Sequence, residues 1–284
     1  MHQPHSTEPF LFEENKGQFH DAVLFRCRLP NGYLFLEKGG FTYLFENQQD
    51  KAQLMELMHE HSFMGPPQLV TQRAHSIKVT FLNADTTNEV IGLDPMPYYH
   101  NYFIGANPSN WQSKVKSYAH IMYAGLYDNI ILDFYTDANG FLKYDWRVLA
   151  NGDFTDIKLK LEGADSMKVV NDSLLVYTTC GTLTETPPVI DRASSSAVES
   201  LAARDDLQCR FSLENNVLLY DVYSENQEAH QLSQGGFTID PALIFSTYSG
   251  SRGDNFGFTA TYDSKSNLYA GGITDGNQGN YPVT

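Results

Sequence analysis

Short runs of alternating or continuous apolar residues, rich in Val, Ile, Tyr, Phe and Thr, recur along the chain. Asn, Gly, Asp or Pro breaks them about every ten residues, the pattern of antiparallel β-structure. Ser76 to Leu82 is the clearest run: Ile77, Val79 and Phe81 share one face, because successive strand side chains point to opposite sides. Phe19 to Arg28 and Gly32 to Glu37 flank the turn signal Pro30-Asn31-Gly32, and Gly39-Gly40 precedes the run Phe41 to Phe45. Together these predict a meander. Further strands are expected at Glu89 to Gly92, His100 to Ile104, Ser117 to Tyr123, Ile130 to Thr136, Leu142 to Val148, Ile157 to Leu161, Leu174 to Thr179, Gln208 to Leu213, Val217 to Val222 and Ala242 to Thr247. Asp137 to Gly140 and Leu213 to Asn216 supply the short polar loops of hairpins. The one helical stretch is Gln48 to His61, where Ala52, Leu54, Met55, Leu57 and Met58 cluster at helical spacing. It is expected to lie across a sheet edge or face. Gly65-Pro66-Pro67 marks a loop, and Ala193 to Asp206, rich in Ser and Ala, reads as a linker. The fold class that follows is all-β: an antiparallel, sandwich-like domain with one short helix.

Composition narrows the class further. Apolar residues make up 42% of the 284, with 18 Phe and 17 Tyr, too much apolar surface for a disordered chain. The net charge of −15 repels a phosphate backbone or an anionic membrane face, so nucleic acid is not an expected partner. No run approaches the roughly 18 apolar residues of a membrane span, so membrane insertion is not expected either. Cys27, Cys180 and Cys209 are the only cysteines, with no CxxC spacing, which encodes neither a zinc knuckle nor a disulfide framework. Three buried thiols are expected; pairing of Cys180 with Cys209 is the alternative.

From residue 14 onward an ordered set of motifs accumulates: Glu14-Asn15-Lys16-Gly17-Gln18, Tyr99 to Ile104 followed by Gly105 and Trp111, Tyr118, Gly125 to Ile130, Leu142 to Asp145, and Thr238-Ile239-Asp240-Pro241. Leu243 to Gly250 then opens a repeat that Asp254, Asn255, Gly257, Asp263, Asn267, Leu268-Tyr269, Gly271-Gly272, Thr274 and Tyr281 to Thr284 continue. This order resembles the N-terminal domain and first repeat of bacterial surface proteins carrying SBBP-type β-propeller repeats. Gly250-Ser251, in place of paired glycines, and the insertion Gly276 to Asn280 depart from that pattern. The resemblance implies a β-rich domain over residues 1–240 and a first, partial propeller blade over 241–284. It also implies a secreted protein of the outer cell surface, in bacteria that often glide and export such chains by the type IX route. Its signal is then expected ahead of this numbering, since Met1 to His5 has neither a basic nor an apolar stretch. A single blade cannot bury both faces of its sheet, so a longer protein with further repeats is expected.

The candidate chemistry is sparse. Asp254 and Asp263, near Asn255 and Asn267, offer oxygens to calcium, as do Asp137, Asn139 and Asp145 around Gly140. Neither group has EF-hand spacing, and Asx side chains are default turn residues; no other cofactor is expected. His59-Glu60-His61 lacks the one-turn spacing of a helical zinc site. Asp133, Asp145, Asp156 and Glu162 supply carboxylates, but nothing in their order places two at catalytic separation, and no GxSxG occurs. The aromatic group Tyr98, Tyr99, Tyr102, Phe103 and Trp111 remains. Core packing is the favoured expectation for such residues; exposed, Tyr98, Tyr99, Tyr102 and Trp111 would form a stacking platform for sugar rings or a protein partner. The sequence is thus read as a non-catalytic structural and adhesive surface module binding a glycan or a protein. A carbohydrate-active hydrolase on the same scaffold and a passive assembly domain are its rivals.

Overall fold

A computed structural model describes residues 9–59, 71–138, 140–191, 207–224, 236–241, 243–246, 254–262 and 268–275. Twenty strands lie among them. The first five are β1 (Phe12–Glu14), β2 (Val23–Leu29), β3 (Gly32–Glu37), β4 (Gly40–Glu46) and β5 (Ala74–Phe81), with helix α1 (Gln48–His59) between β4 and β5. A long pair follows, β6 (Val90–Tyr102) and β7 (Gln112–Tyr127), then β8 (Ile130–Thr136), β9 (Leu142–Val148) and β10 (Lys158–Glu162). The chain continues through β11 (Ser166–Val170), β12 (Ser173–Thr178), β13 (Gly181–Glu185), β14 (Val189–Asp191), β15 (Gln208–Glu214), β16 (Val217–Tyr223), β17 (Phe237–Asp240) and β18 (Leu243–Ser246). β19 (Asp254–Tyr262) and β20 (Leu268–Asp275) complete it.

The turns explain much of this order. Asn215 and Asn216 join β15 to β16, and Asn171 and Asp172 join β11 to β12, as two-residue loops with both residues at positive φ. That is the type I′ geometry whose twist matches paired strands, and Asn and Asp tolerate it best after glycine. The expected linker at 193–206 and the loop at Gly65 to Pro67 lie outside the described residues.

Fourteen strands form one antiparallel sheet in the order β14-β17-β9-β8-β7-β1-β2-β3-β4-β5-β10-β16-β15, with β6 added on β7. The register shows how one sheet makes an enclosed core. Tyr118 pairs with both Phe12 of β1 and Pro95 of β6, whereas Tyr123 pairs with Leu132 of β8 and Val90 of β6. β1 and β8 therefore lie end to end along one edge of β7, and the Phe10 N–H bonds Thr136 Oγ1 at 2.8 Å where they meet. The sheet fans from that edge in two directions, and its halves face each other. Phe41 of β4 touches Phe134 of β8 (5.4 Å between centroids) and Tyr144 of β9 (6.0 Å). Phe81 of β5 touches Tyr123 of β7 (5.7 Å) and Trp146 of β9 (5.9 Å). The ends of the order, β14 and β15, also approach each other, so the sheet nearly closes into a barrel-like shape. The all-β, sandwich-like expectation holds, and the facing layers belong to one continuous sheet.

β3, β8 and β9 alternate buried and half-buried residues almost without a break, and Phe12, Leu34, Leu36, Ile121, Leu132 and Trp146 are fully enclosed. A smaller sheet, β11-β12-β13-β18, contributes Leu174, Val176 and Leu183 to the same core. At the start of α1, Asn47 Oδ1 accepts the N–H groups of Gln49 and Asp50, both at 3.1 Å, an N-cap. Asp50 takes the Arg73 guanidinium at 2.7 and 2.9 Å, which ties the helix start to the strand entering β5. Cys27 is buried, Cys180 and Cys209 are half-buried, and all three are free thiols. Two compact units are distinguished, Met1–Phe245 and Ser246–Thr284. β19 and β20 form an antiparallel pair in the second, with a bulge between Gly257 and Thr259.

Candidate functional site

The β6–β7 pair outruns its neighbours. β1 pairs with β7 at Ser117 and Tyr118, and β8 pairs with it from Ile121 to Tyr127. The segment from Gln112 to Lys116 pairs with β6 alone, through Tyr99↔Lys116, His100↔Val115 and Tyr102↔Gln112. Two irregularities shape it: extra residues between Pro95 and Tyr99 on β6, and one extra residue on β7 beside Lys114, whose φ is +56°. Bulges of this kind re-aim side chains.

A two-stranded ribbon is marginal by itself, and the loop between β1 and β2 supports this one. Asn15 organises that loop: its Oδ1 accepts the N–H groups of Gly17 (2.9 Å) and Phe19 (3.1 Å), and its Nδ2 donates to the carbonyls of His20 (3.0 Å) and Val23 (2.8 Å). Lys16 Nζ then reaches the carbonyls of Ser113 and Lys114, each at 3.4 Å, and the Lys116 N–H donates to Glu14 Oε1 at 2.9 Å. Beneath the ribbon the Tyr102 hydroxyl donates to Glu13 Oε1 at 2.5 Å, while Arg26 bonds Glu13 Oε2 and the Tyr102 oxygen. The guanidinium covers the Phe19 ring at 4.2 Å, and Phe19 meets Tyr102 edge-on at 5.9 Å. Burial, and then the bonded Glu13 carboxylate, push the Tyr102 phenol up to about 12.

At the far end the chain turns through a 3₁₀ turn, Pro108–Asn110, capped by Asn107 Oδ1 on the Ser109 N–H at 3.1 Å. The Trp111 indole N–H spans this turn to the Gly105 carbonyl at 3.2 Å, and Phe103 meets the indole edge-on at 5.3 Å. Tyr98, Tyr99, Phe103, Ile104 and Trp111 are 47%, 55%, 65%, 59% and 42% exposed. Such a concentration of large apolar side chains in water on one small element is the pattern of a candidate interaction surface rather than of core. Core packing therefore fails for Tyr98, Tyr99 and Trp111, which stand exposed although Val115 on the same ribbon is fully enclosed. Tyr102 departs from the platform and points into the Glu13–Arg26 node. Phe103 and Ile104 join the exposed set. Tyr123 and Tyr127, farther along β7, are core residues.

A second constellation was not visible from sequence order. Asp133 of β8 lies directly opposite Asp145 of β9 on the outer face of the sheet. Tyr135 donates to Asp145 Oδ2 at 2.8 Å, Arg147 meets Asp133 Oδ2 at 3.1 Å, and Lys143 holds both oxygens of Asp240 at 2.6 and 2.7 Å. Burial raises both cross-strand carboxyls, Asp145 to about 6 despite the Tyr135 hydrogen bond. The signal was available: joining the runs Ile130 to Thr136 and Leu142 to Val148 by a closed five-residue loop sets the register that puts residue 133 against 145. Asp156 and Glu162 take no part in this row.

For calcium, Asp263 lies outside the described residues and of Asp254 only the backbone is described; Asn139 also lies outside them. Asp137 Oδ1 is engaged by the Phe141 N–H at 2.8 Å, a turn bond. Among the described residues no group of three or more His, Cys, Asp or Glu is arranged to hold a metal ion, and no helix is long and apolar enough to cross a membrane. Glu60 and His61 of the His59-Glu60-His61 motif lie outside the described residues. No curated protein and no solved structure matches the chain. A family described as a domain of unknown function, DUF7948, matches residues 12–242, which span the supporting loop, the aromatic hairpin and the whole fourteen-stranded sheet. The chain belongs to this DUF7948 family.

Proposed function

We propose that this chain is a non-catalytic adhesion module of a larger secreted bacterial surface protein, and that it holds a carbohydrate on the exposed rings of the β6–β7 hairpin. The observation that carries this reading is the buttressed ribbon ending in Tyr98, Tyr99, Phe103, Ile104 and Trp111, all substantially exposed. Size favours a sugar over a protein. Five such side chains, each about half exposed, offer on the order of 500 Å², short of the about 800 Å² per partner of a stable protein interface. That area suffices for one or two sugar rings, whose apolar faces stack on aromatic rings. Surface location and membership of a longer chain rest on the motif order that resembles SBBP-repeat proteins.

The test is a panel of polysaccharides with retention and product release measured together. Saturable retention without soluble oligosaccharides is expected, and Trp111→Ala with Tyr99→Ala should weaken it at least tenfold. Retention unchanged by that double substitution overturns the reading, as does retention of a protein ligand alone. The opposed Asp133 and Asp145, one with its carboxyl raised to about 6, favour a glycoside hydrolase as the second reading. Oligosaccharide release abolished by Asp145→Asn would establish it instead.

A further inference from the structure

The charge around the hairpin differs from that of the rest of the chain. From Pro95 to Tyr127 there is no Asp or Glu, in a protein with 34 of them and a net charge of −15. The same segment contains Lys114 and Lys116, both exposed, and the supporting loop adds the exposed Lys16 against the carbonyls of Ser113 and Lys114. The two carboxylates of β1 beside the ribbon are half-buried and engaged: Glu13 by Arg26 and Tyr102, Glu14 by the Lys116 N–H and the Tyr118 hydroxyl. Lys16 lies 3.9 Å from Glu14, whereas Lys114 and Lys116 form no ion pair among the described residues.

Position matters as much as sign. Lys116 is the direct cross-strand partner of Tyr99, so their Cβ atoms are about 5 Å apart on one face of the ribbon. Asn101, next but one along β6, accepts the Lys114 N–H at 3.0 Å. A ring beside a free ammonium matches one building block, a pyranose with an apolar face to stack and an anionic substituent at its edge. A neutral glycan would use the ring and leave the lysine idle.

We infer that the hairpin selects anionic polysaccharides, stacking a sugar ring on Tyr99 while Lys116 and Lys114 pair with its charged groups. This deepens, and rests on, the carbohydrate reading above. The acidic body does not forbid it, since charges farther away than the Debye length of about 8 Å at physiological salt are largely screened. The ammonium groups themselves stand at the contact.

The decisive comparison uses one polymer in two charge states: polygalacturonate and its fully methyl-esterified form, with a sulfated galactan as a third arm. The full chain should retain the free acid at least fivefold more strongly than the ester. Lys114→Gln with Lys116→Gln should erase that preference and leave retention of the ester unchanged. The sulfated arm assigns the anion: retention comparable to the free acid means that charge alone is read, and weaker retention means a carboxylate is preferred. Equal retention of acid and ester, or a preference that survives both lysine substitutions, overturns the inference while carbohydrate binding stands. Retention of no polysaccharide at all overturns the carbohydrate reading itself. Both lysines are exposed, so the double variant is expected to fold, and an unchanged thermal midpoint verifies it.

Discussion

At the scale of single residues, the fold depends most on places where two backbones approach too closely for a side chain. A Cβ on Gly40 would lie 2.0 Å from the Val79 carbonyl oxygen, and one on Gly32 would lie 1.8 Å from that of Leu44. Both clashes are with strand backbone, which has no rotamer to change. Gly40→Ala is therefore expected to cost about 2–4 kcal/mol, in the range of substitutions that force strain on a packed interior. The midpoint of urea unfolding measures it, and a loss below about 0.5 kcal/mol would contradict the tight β4–β5 register. In the sequence Gly39-Gly40 was legible as punctuation, but the need for Gly40 was not, because it arises from β5, some forty residues away. Tyr102 teaches the same lesson. Its neighbours Tyr99 and Phe103 are exposed, and only the placement of Glu13 and Arg26 decides that Tyr102 turns inward.

At the scale of elements, the loop between β1 and β2 and the β6–β7 ribbon act as one unit. The motif Glu14 to Gln18 carries no chemistry of its own and is a buttress: Asn15 folds the loop, and Lys16 and Glu14 fasten it to β7. Asn15→Ala removes five side-chain hydrogen bonds at one stroke and is expected to cost about 1–2 kcal/mol. The local effect is the sharper readout. Amide exchange from Tyr99 to Lys116 should accelerate by tenfold or more, while that of β3 and β8 changes only with the global loss of stability. Uniform acceleration across all strands would show that the ribbon has no independent support. Strand positions were largely readable here because one face of each central strand is apolar. What escaped was β6 as a single strand, since Pro95, Pro97 and the bulge interrupt its alternation. The short strands β1, β11, β13, β14 and β17 escaped as well: β14 and β17 are defined by long-range pairing, and β11 and β13 by adding to the two edges of β12. Asp133 and Asp145 became a pair only through register, a relation between two runs that neither run shows alone.

At the scale of the whole molecule, the packed interior joins three elements through one carboxyl. Glu185 of β13 is buried and bonds the Tyr144 hydroxyl of β9 at 2.7 Å; Trp146 donates to the Tyr220 oxygen of β16 at 3.2 Å, and the two phenols lie 3.4 Å apart. No cation is among the groups acting on Glu185, so burial dominates and raises it to about 7, with the Tyr144 bond opposing. A carboxyl raised in the folded state binds its proton more tightly there than in the unfolded chain. Its contribution to stability is complete below about pH 4.5 and is lost as pH climbs through about 7, a change on the order of 3 kcal/mol. Asp145, raised to about 6, acts in the same direction over a lower window, and more weakly because it is less deeply buried than Glu185. Asp50 opposes them. The Arg73 hydrogen bonds hold it down to about 2, so its contribution is present above about pH 4 and fades on further acidification. These opposed slopes place maximal stability near pH 4.5–5, and the self-repulsion of an acidic chain adds to the decline toward neutrality. The urea midpoint should therefore fall between pH 5 and pH 7.5. Glu185→Gln, which keeps the shape and an acceptor for Tyr144 without the charge, should flatten most of that fall and leave the variant the more stable protein at pH 7.5. A wild-type midpoint that stays level or rises over this interval would mean that Glu185 is not enclosed, and that the small sheet β11-β12-β13-β18 does not pack on the core as described. The fold thus gives up stability at neutral pH to join its small sheet to the large one through the Glu185–Tyr144 contact.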